Sequence, residues 1–445
     1  MVLLGWRRQI AKIQDPASVP QAPAPAAEPP APAPAAPPRH DVALLADKHL
    51  VDVPGFRAQG VWAQIKKKSR DVVLVVGPPG TVGAAVFTQN AFAAAPVLVS
   101  REHVKGGDVR AIVCNAGNAN ACTGEQGLKD ARAMAERAAR HLGCKPRQVL
   151  VCSTGIIGRP MPMEKVLAGI DACAKELDSA EGPEAAEGIT TTDSHPKHAF
   201  ARVTVAGRTF HVAGIAKGAG MIHPNMATML AFAVTDAPVS AADLDAQLRQ
   251  AADATFNMIT IDGDQSTNDT CAVLASGTEG GPRLKPGTPE MDAFQHGLRT
   301  VLRELARMIA GDGEGATALL EVRVEGASSL QDARAIARAV AKSNLVKSAL
   351  HGKDPNWGRI VAAVGSCGAD VDPGRVSVRF ESSAGSVPVL RSGEPIPDVL
   401  QDAAAVLRPR EVRILVDLNL GPHAAEAWGC DLSEEYVTFN SAYST

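Results

Sequence analysis

A threonine that heads an apolar run directly after a Gly/Pro-rich loop can become a self-contained catalyst. Thr228 holds that position inside KGAGMIHPNMATML (217–230), and the run LAFAV (230–234) follows it. If the Ala227–Thr228 peptide bond is broken, Thr228 gains a free α-amino group beside its own hydroxyl, a nucleophile and its base in one residue. Such an amine has a reference pKa of about 7.7–8.0, better matched to neutral pH than a lysine at about 10.4. The break itself is plausible chemistry: the hydroxyl attacks the preceding carbonyl, the resulting ester hydrolyses, and Ala227 offers little steric obstruction. The alternative is an uncut binding or regulatory protein in which Thr228 is a strand residue. One full-length band on a denaturing gel would identify it.

Other segments carry polar groups in patterns worth weighing. In CSTGIIGRP (152–160), Ser153-Thr154-Gly155 can present a hydroxyl and a backbone N–H pointing the same way, as an oxyanion hole requires, though Ser-Thr-Gly is also ordinary loop material. CNAGNANACTGEQG (114–127) is rich in residues that tolerate left-handed backbone and bond locally, which predicts a rigid buried loop. DGDQSTND (262–269) fails the EF-hand spacing and reads as a polar turn. GDGEG (311–315) reads as the glycine-rich exit of a helix. VVGPPGTVG (75–83) lacks the Lys-Ser/Thr ending of a P-loop and is expected to be a turn between two strands. GKDPNWGR (352–359) is too polar for plain core. His211 and His223 stand alone and are expected to be structural. Neither GxSxG nor HExxH occurs, which removes serine-hydrolase and zinc-protease readings, and no metal site is expected.

These segments need a scaffold. Strand character marks 71–76, 110–114, 148–152, 227–234, 318–324 and 411–418. Helical periodicity marks 125–142, 241–258, 331–350 and most clearly 291–309, where apolar residues recur at three- and four-residue steps. Strands and helices do not alternate strictly, so an α+β arrangement of sheets covered by helices is expected in place of a doubly wound parallel sheet. Pro20 to Pro38 is a Pro/Ala tract expected to be extended and disordered, with folded sequence starting near Ala43. Aromatics make up only 4% of the 445 residues, so the core must rest on Val, Leu, Ile and Ala. With a net charge of −3 and scattered basic residues there is no footprint for nucleic acid or an anionic membrane. No apolar run has the length of a membrane span. Eight dispersed cysteines without a CxxC pair fit reduced thiols in a cytoplasmic protein.

Taken together and in order, GFRAQGV (55–61), NAGNANACTGEQG, STGIIG, TTD (191–193), KGAGMIHPNMATMLAF, DGDQSTND, DPNWGRI and the tail NSAYST resemble the ornithine acetyltransferase (glutamate N-acetyltransferase) family of arginine biosynthesis. The resemblance runs from about Ala43 to Thr445. It implies an αββα-like α+β fold, self-cleaved between Ala227 and Thr228 into fragments 43–227 and 228–445 behind an extension at 1–42. It implies Thr228 as nucleophile and Thr154 and Gly155 as oxyanion hole. Thr191, Lys217, Thr228, Glu314, Asn440 and Thr445 would bind substrate. The implied reaction is ping-pong acetyl transfer from N-acetyl-L-ornithine to L-glutamate, giving ornithine and N-acetylglutamate. No cofactor is implied, and use of acetyl-CoA for amino-acid N-acetylation is left open. The two fragments are expected to associate into a heterotetramer or larger. An N-terminal-threonine amidohydrolase or aminopeptidase, passing its acyl group to water, is the enzymatic alternative, and a glutamate requirement would separate the two.

Overall fold

A computed structural model describes residues 40–223 and 229–442 of the chain. Ala227, Thr228 and Thr445 lie outside these residues, as does the Pro/Ala tract. The described strands form three sheets. A central sheet of six runs His40–Leu44, Lys197–Val205, Arg208–Lys217, Leu230–Thr235, Thr270–Ala275, Val82–Phe87. A four-stranded N-terminal sheet runs Arg57–Val61, Val72–Val76, Ala111–Asn118, Val149–Ile156. A C-terminal sheet is built around Leu319–Ala327, flanked by Glu411–Asp417 and His423–Cys430.

Alternation along the strands decides the layering. Val73, Val75, Ile112 and Leu150 point from the N-terminal sheet onto Ile215, Phe232, Val234 and Leu274 of the central sheet, giving a sheet-on-sheet core. Their neighbours Val72, Leu74, Val76, Val113 and Val151 point the other way. They pack beneath the helices Ala95–His103, Gly124–Leu142 and Met163–Glu176. The far face of the central sheet, through Val203, Val212 and Ala233, meets the helices Ala241–Ala254 and Pro289–Gly311. The order is helices, sheet, sheet, helices, the αββα-like α+β fold expected. Helix Pro289–Gly311 also touches the C-terminal sheet, whose face carries helix Leu330–Lys342.

The longest helix begins where its sequence says it should: the Thr288 side chain accepts from the Met291 N–H and Pro289 occupies the first turn. The stripe at 331–350 is two helices, Leu330–Lys342 and Asn344–His351, because the Ser343 side chain caps the second by accepting from the Val346 N–H. The stripe at 241–258 ends its α-helix at Ala254 and closes with a short 3-10 turn, Phe256–Met258. Two strands outrun expectation. Ala111–Asn118 and Val149–Ile156 are parallel partners and continue through NAGN and STGI, where loop was expected. The turn in VVGPPGTVG does join two strands, but they belong to different sheets. The first described strand, His40–Leu44, opens ahead of Ala43.

Leu230–Thr235, the first strand beyond residue 228, sits mid-sheet between Arg208–Lys217 and Thr270–Ala275. Thr270–Ala275 pairs in turn with Val82–Phe87. Two strands from the C-terminal half are thereby enclosed on both sides by strands of the N-terminal half.

Candidate active site

A cavity of about 270 Å³ is lined by Thr154, Gly155, Thr191, Lys217, Glu314 and Asn440, so six residues chosen from five separate stretches of sequence share one space. Asp262, Asn268 and Tyr436 line it as well. Ile222 and Met229, which stand on either side of residues 224–228, are both in its wall. Thr228 itself lies outside the described residues.

Thr154 and Gly155 are brought in by the end of their strand. Gly155 has φ +130°, and a Cβ on it would lie 2.4 Å from the Gly117 carbonyl carbon, so only glycine lets the two parallel backbones meet here. The asparagines of NAGNAN fasten the neighbourhood. The Asn115 amide donates to Asn118 O at 2.9 Å and its Oδ1 accepts from the Ser153 hydroxyl at 2.6 Å. The Asn118 amide donates to the Arg159 and Pro160 carbonyls. Asn120 accepts from the Thr123 hydroxyl and donates to Gly127 O. All three are buried, and their bonds make the rigid support that the composition predicts.

Lys217 ends its strand, and the loop after it is clamped from two sides. Asp262 accepts from the N–H groups of Met221 at 2.6 Å and Ile222 at 2.9 Å. Burial pushes the Asp262 carboxyl above its usual range, against those backbone bonds. On the far side the Thr270 N–H donates to Met229 O at 2.9 Å. Glu314 enters from GDGEG, its N–H donating to Ala219 O at 2.9 Å. Asn440, on the C-terminal helix Glu434–Ala442, donates to Glu314 Oε2 at 2.9 Å. That helix comes close because Gly315, at φ +71°, would otherwise put a Cβ 2.6 Å from the Tyr436 nitrogen. Burial, then the charges of Asp262, Glu314 and Asp264, push the Tyr436 hydroxyl upward, so it stays protonated.

A buried ionic cluster ties these segments together. The Lys197 ammonium donates to Asp193 Oδ1 at 2.7 Å and to Asp312 Oδ2 at 2.6 Å. Asp193 also accepts from the N–H of Gly218 at 2.7 Å and of Thr191 at 3.0 Å. Asp312 accepts from the Ser194 N–H and hydroxyl. Burial opposes charge on Asp193, but Lys197, Lys217 and the Thr191 N–H outweigh it and hold the carboxyl at about 2.

The two histidines are satisfied structurally. His211 Nδ1 and N–H both meet Asp236. His223 bonds Thr260 Oγ1 through Nδ1 and receives Arg338 at Nε2. All eight cysteines are free. GKDPNWGR runs into helix Trp357–Ser366 and takes no part in the cavity. Among the described residues no cluster of His, Cys, Asp and Glu could hold a metal ion, and no helix is long and apolar enough to cross a membrane.

Asp193, Asp262, Asn268 and Asp312 sit in motifs that were singled out, yet their own roles were missed. Lys197 had no local signal, because a lysine in a strand reads as solvated.

The ArgJ family profile matches residues 57–445. The arginine biosynthesis bifunctional protein ArgJ of Symbiobacterium thermophilum is 51% identical over 394 residues, covering 88% of this chain and 97% of that protein. Its counterpart from Caldanaerobacter subterraneus is 47% identical over 396 residues, covering 89% and 98%. A crystal structure of the arginine biosynthesis bifunctional protein from Bacillus halodurans aligns with a TM-score of 0.45 at 39% identity, over 47% of this chain and 96% of that one. With the family profile and the two sequence relatives spanning nearly all of the folded sequence, the chain belongs to the ArgJ family.

Proposed function

We propose that this protein cuts itself between Ala227 and Thr228 and then moves an acetyl group from N-acetyl-L-ornithine to L-glutamate through an acetyl ester on Thr228. The observation that carries this reading is the gathering of Thr154, Gly155, Thr191, Lys217, Glu314 and Asn440 around one cavity, with Met229, the residue after the nucleophile, in its wall. Membership of a family whose relatives are named for arginine biosynthesis supports the substrate class.

The freed α-amine of Thr228 takes the hydroxyl proton as Oγ attacks the acetyl carbonyl. The oxyanion is met by Thr154 and the Gly155 N–H, donors of a kind worth about 2.7–4 kcal/mol each. The carbon–nitrogen bond breaks, and the α-amine of ornithine leaves with the proton held by the Thr228 amine. Glutamate then attacks the ester with its own α-amine, the bond to Oγ breaks, and Thr228 recovers its proton. Lys217 pairs with the α-carboxylate common to both amino acids, and Glu314 pairs with the side-chain ammonium of ornithine. Thr191, Asn440 and Thr445 complete the contacts. The site uses no cofactor in this reaction. Acetyl-CoA as a second acetyl donor would add amino-acid N-acetyltransferase activity. The fragments stay together in a cytoplasmic heterotetramer or larger assembly.

Intact mass with N-terminal sequencing is the first test, since a fragment beginning at Thr228 is required. The second is the dependence of ornithine release on glutamate. Release at the same rate without glutamate would make the protein an amidohydrolase.

A further inference from the structure

Lys197 touches no part of the cavity, yet it governs the surroundings of a residue that does. Its side chain and that of Asp193 are fully buried, and Asp312 nearly so. Asp193 is the acidic group next to Lys217: its Oδ1 accepts from the N–H of Gly218, the residue that follows Lys217. Lys217 is the only cation among the described residues lining the cavity. Its ammonium makes no hydrogen bond or ion pair with other described residues. A partly buried ammonium beside a buried carboxylate would ordinarily close onto it, because opposite charges attract more strongly away from bulk water. Here Lys197 and Gly218 occupy Oδ1 of Asp193 and Thr191 takes one position on Oδ2, so three of about four acceptor positions are used and the buried Lys197 already neutralises the carboxylate.

We propose that Lys197 is a positioning residue that occupies Asp193 and so leaves the Lys217 ammonium free to receive the α-carboxylate of the amino-acid substrate. The inference rests on the acetyl-transfer reading for its substrate. Without Lys197, Lys217 becomes the strongest opposite charge acting on Asp193, and pairing with it withdraws the cation from the cavity. Selectivity for a substrate with an α-carboxylate should then be lost, while chemistry at the acetyl group is spared.

The test compares N-acetylornithine with its decarboxylated analogue N-acetylputrescine in the wild type and in Lys197→Met. The preference for N-acetylornithine in kcat/KM should fall by about ten- to a hundredfold in the variant, the weight of one charge-assisted hydrogen bond, with turnover of the analogue little changed. Asp312→Asn leaves Lys197 on Asp193 and should keep the preference. If Lys197→Met does not fold, Lys197→Met/Asp312→Asn removes one charge of each sign and carries the same expectation. An unchanged preference, or an equal loss on both substrates, overturns the proposal and reduces the cluster to a structural clasp. Calorimetric binding of ornithine against putrescine reads the same contrast without turnover, so a failure of acetyl transfer itself is told apart.

Discussion

The side-chain amide of Asn268 donates to the carbonyl of Ser153 at 2.9 Å, across 115 residues of sequence. It also donates to Ala119 O at 2.5 Å, so the DGDQSTND turn is bolted to the strand that carries Thr154 and Gly155 near its end. Asn268→Ala would leave two buried carbonyls without a donor. A loss of about 1–3 kcal/mol in stability is expected, read by denaturant melts. Turnover should fall with little change in KM for either amino acid, because the displaced groups are those proposed to meet the oxyanion.

Gly155→Ala tests the close approach of the two parallel strands. A methyl at this left-handed position would meet Gly117 at 2.4 Å, so the backbone must shift and carry the N–H with it. If Gly155 serves as the proposed oxyanion donor, the expected fall in kcat is about 10²–10³. Steady-state rates of protein checked for folding by circular dichroism measure it.

Glu314→Gln should separate the two substrates. Losing the carboxylate is expected to raise KM for N-acetylornithine by about tenfold or more, while KM for glutamate holds or drops. Asn440→Ala releases the Glu314 carboxylate from its 2.9 Å partner and should give a smaller effect in the same direction. Equal changes for both substrates would argue against a side-chain ammonium at Glu314.

Acid should weaken the fold in two stages. Burial, then Arg338 and Lys342, hold His223 at about 4 in place of 6.5. The folded state thus favours the neutral ring, and this contribution is full above pH 6.5 and lost as pH falls towards 4. Asp193 is held at about 2 in place of 3.8, so its contribution is full above pH 3.8 and lost below it. Urea midpoints against pH should fall through both windows. His223→Asn should flatten the upper one only.

Much of the site was legible because its chemistry is written in short segments of Gly, Asn, Thr and Pro that core packing does not call for. TTD, KGAG and GDGEG delivered Thr191, Lys217 and Glu314 to one cavity. The strand register was less legible: NAGN and STGI look like loop, and only the mutual approach of Gly117 and Gly155 lets a parallel pair continue through them. Sheet membership was also hidden, since nothing in VVGPPGTVG marks its two strands as belonging to different layers. Lys197 shows the limit most clearly. Its partners, four residues away and over a hundred away, become visible as partners only once helix Pro289–Gly311 has brought Asp312 back to the strand.

The way strands from the two halves interdigitate in the central sheet gives scission an unusual character. Hydrolysis between Ala227 and Thr228 would free two new ends, yet Leu230–Thr235 and Thr270–Ala275 would remain wedged between Arg208–Lys217 and Val82–Phe87. Parting the products would mean tearing two ladders at once, so extreme dilution should cost no activity. Separately expressed halves, each lacking strands on which the other is templated, should not reconstitute when simply mixed.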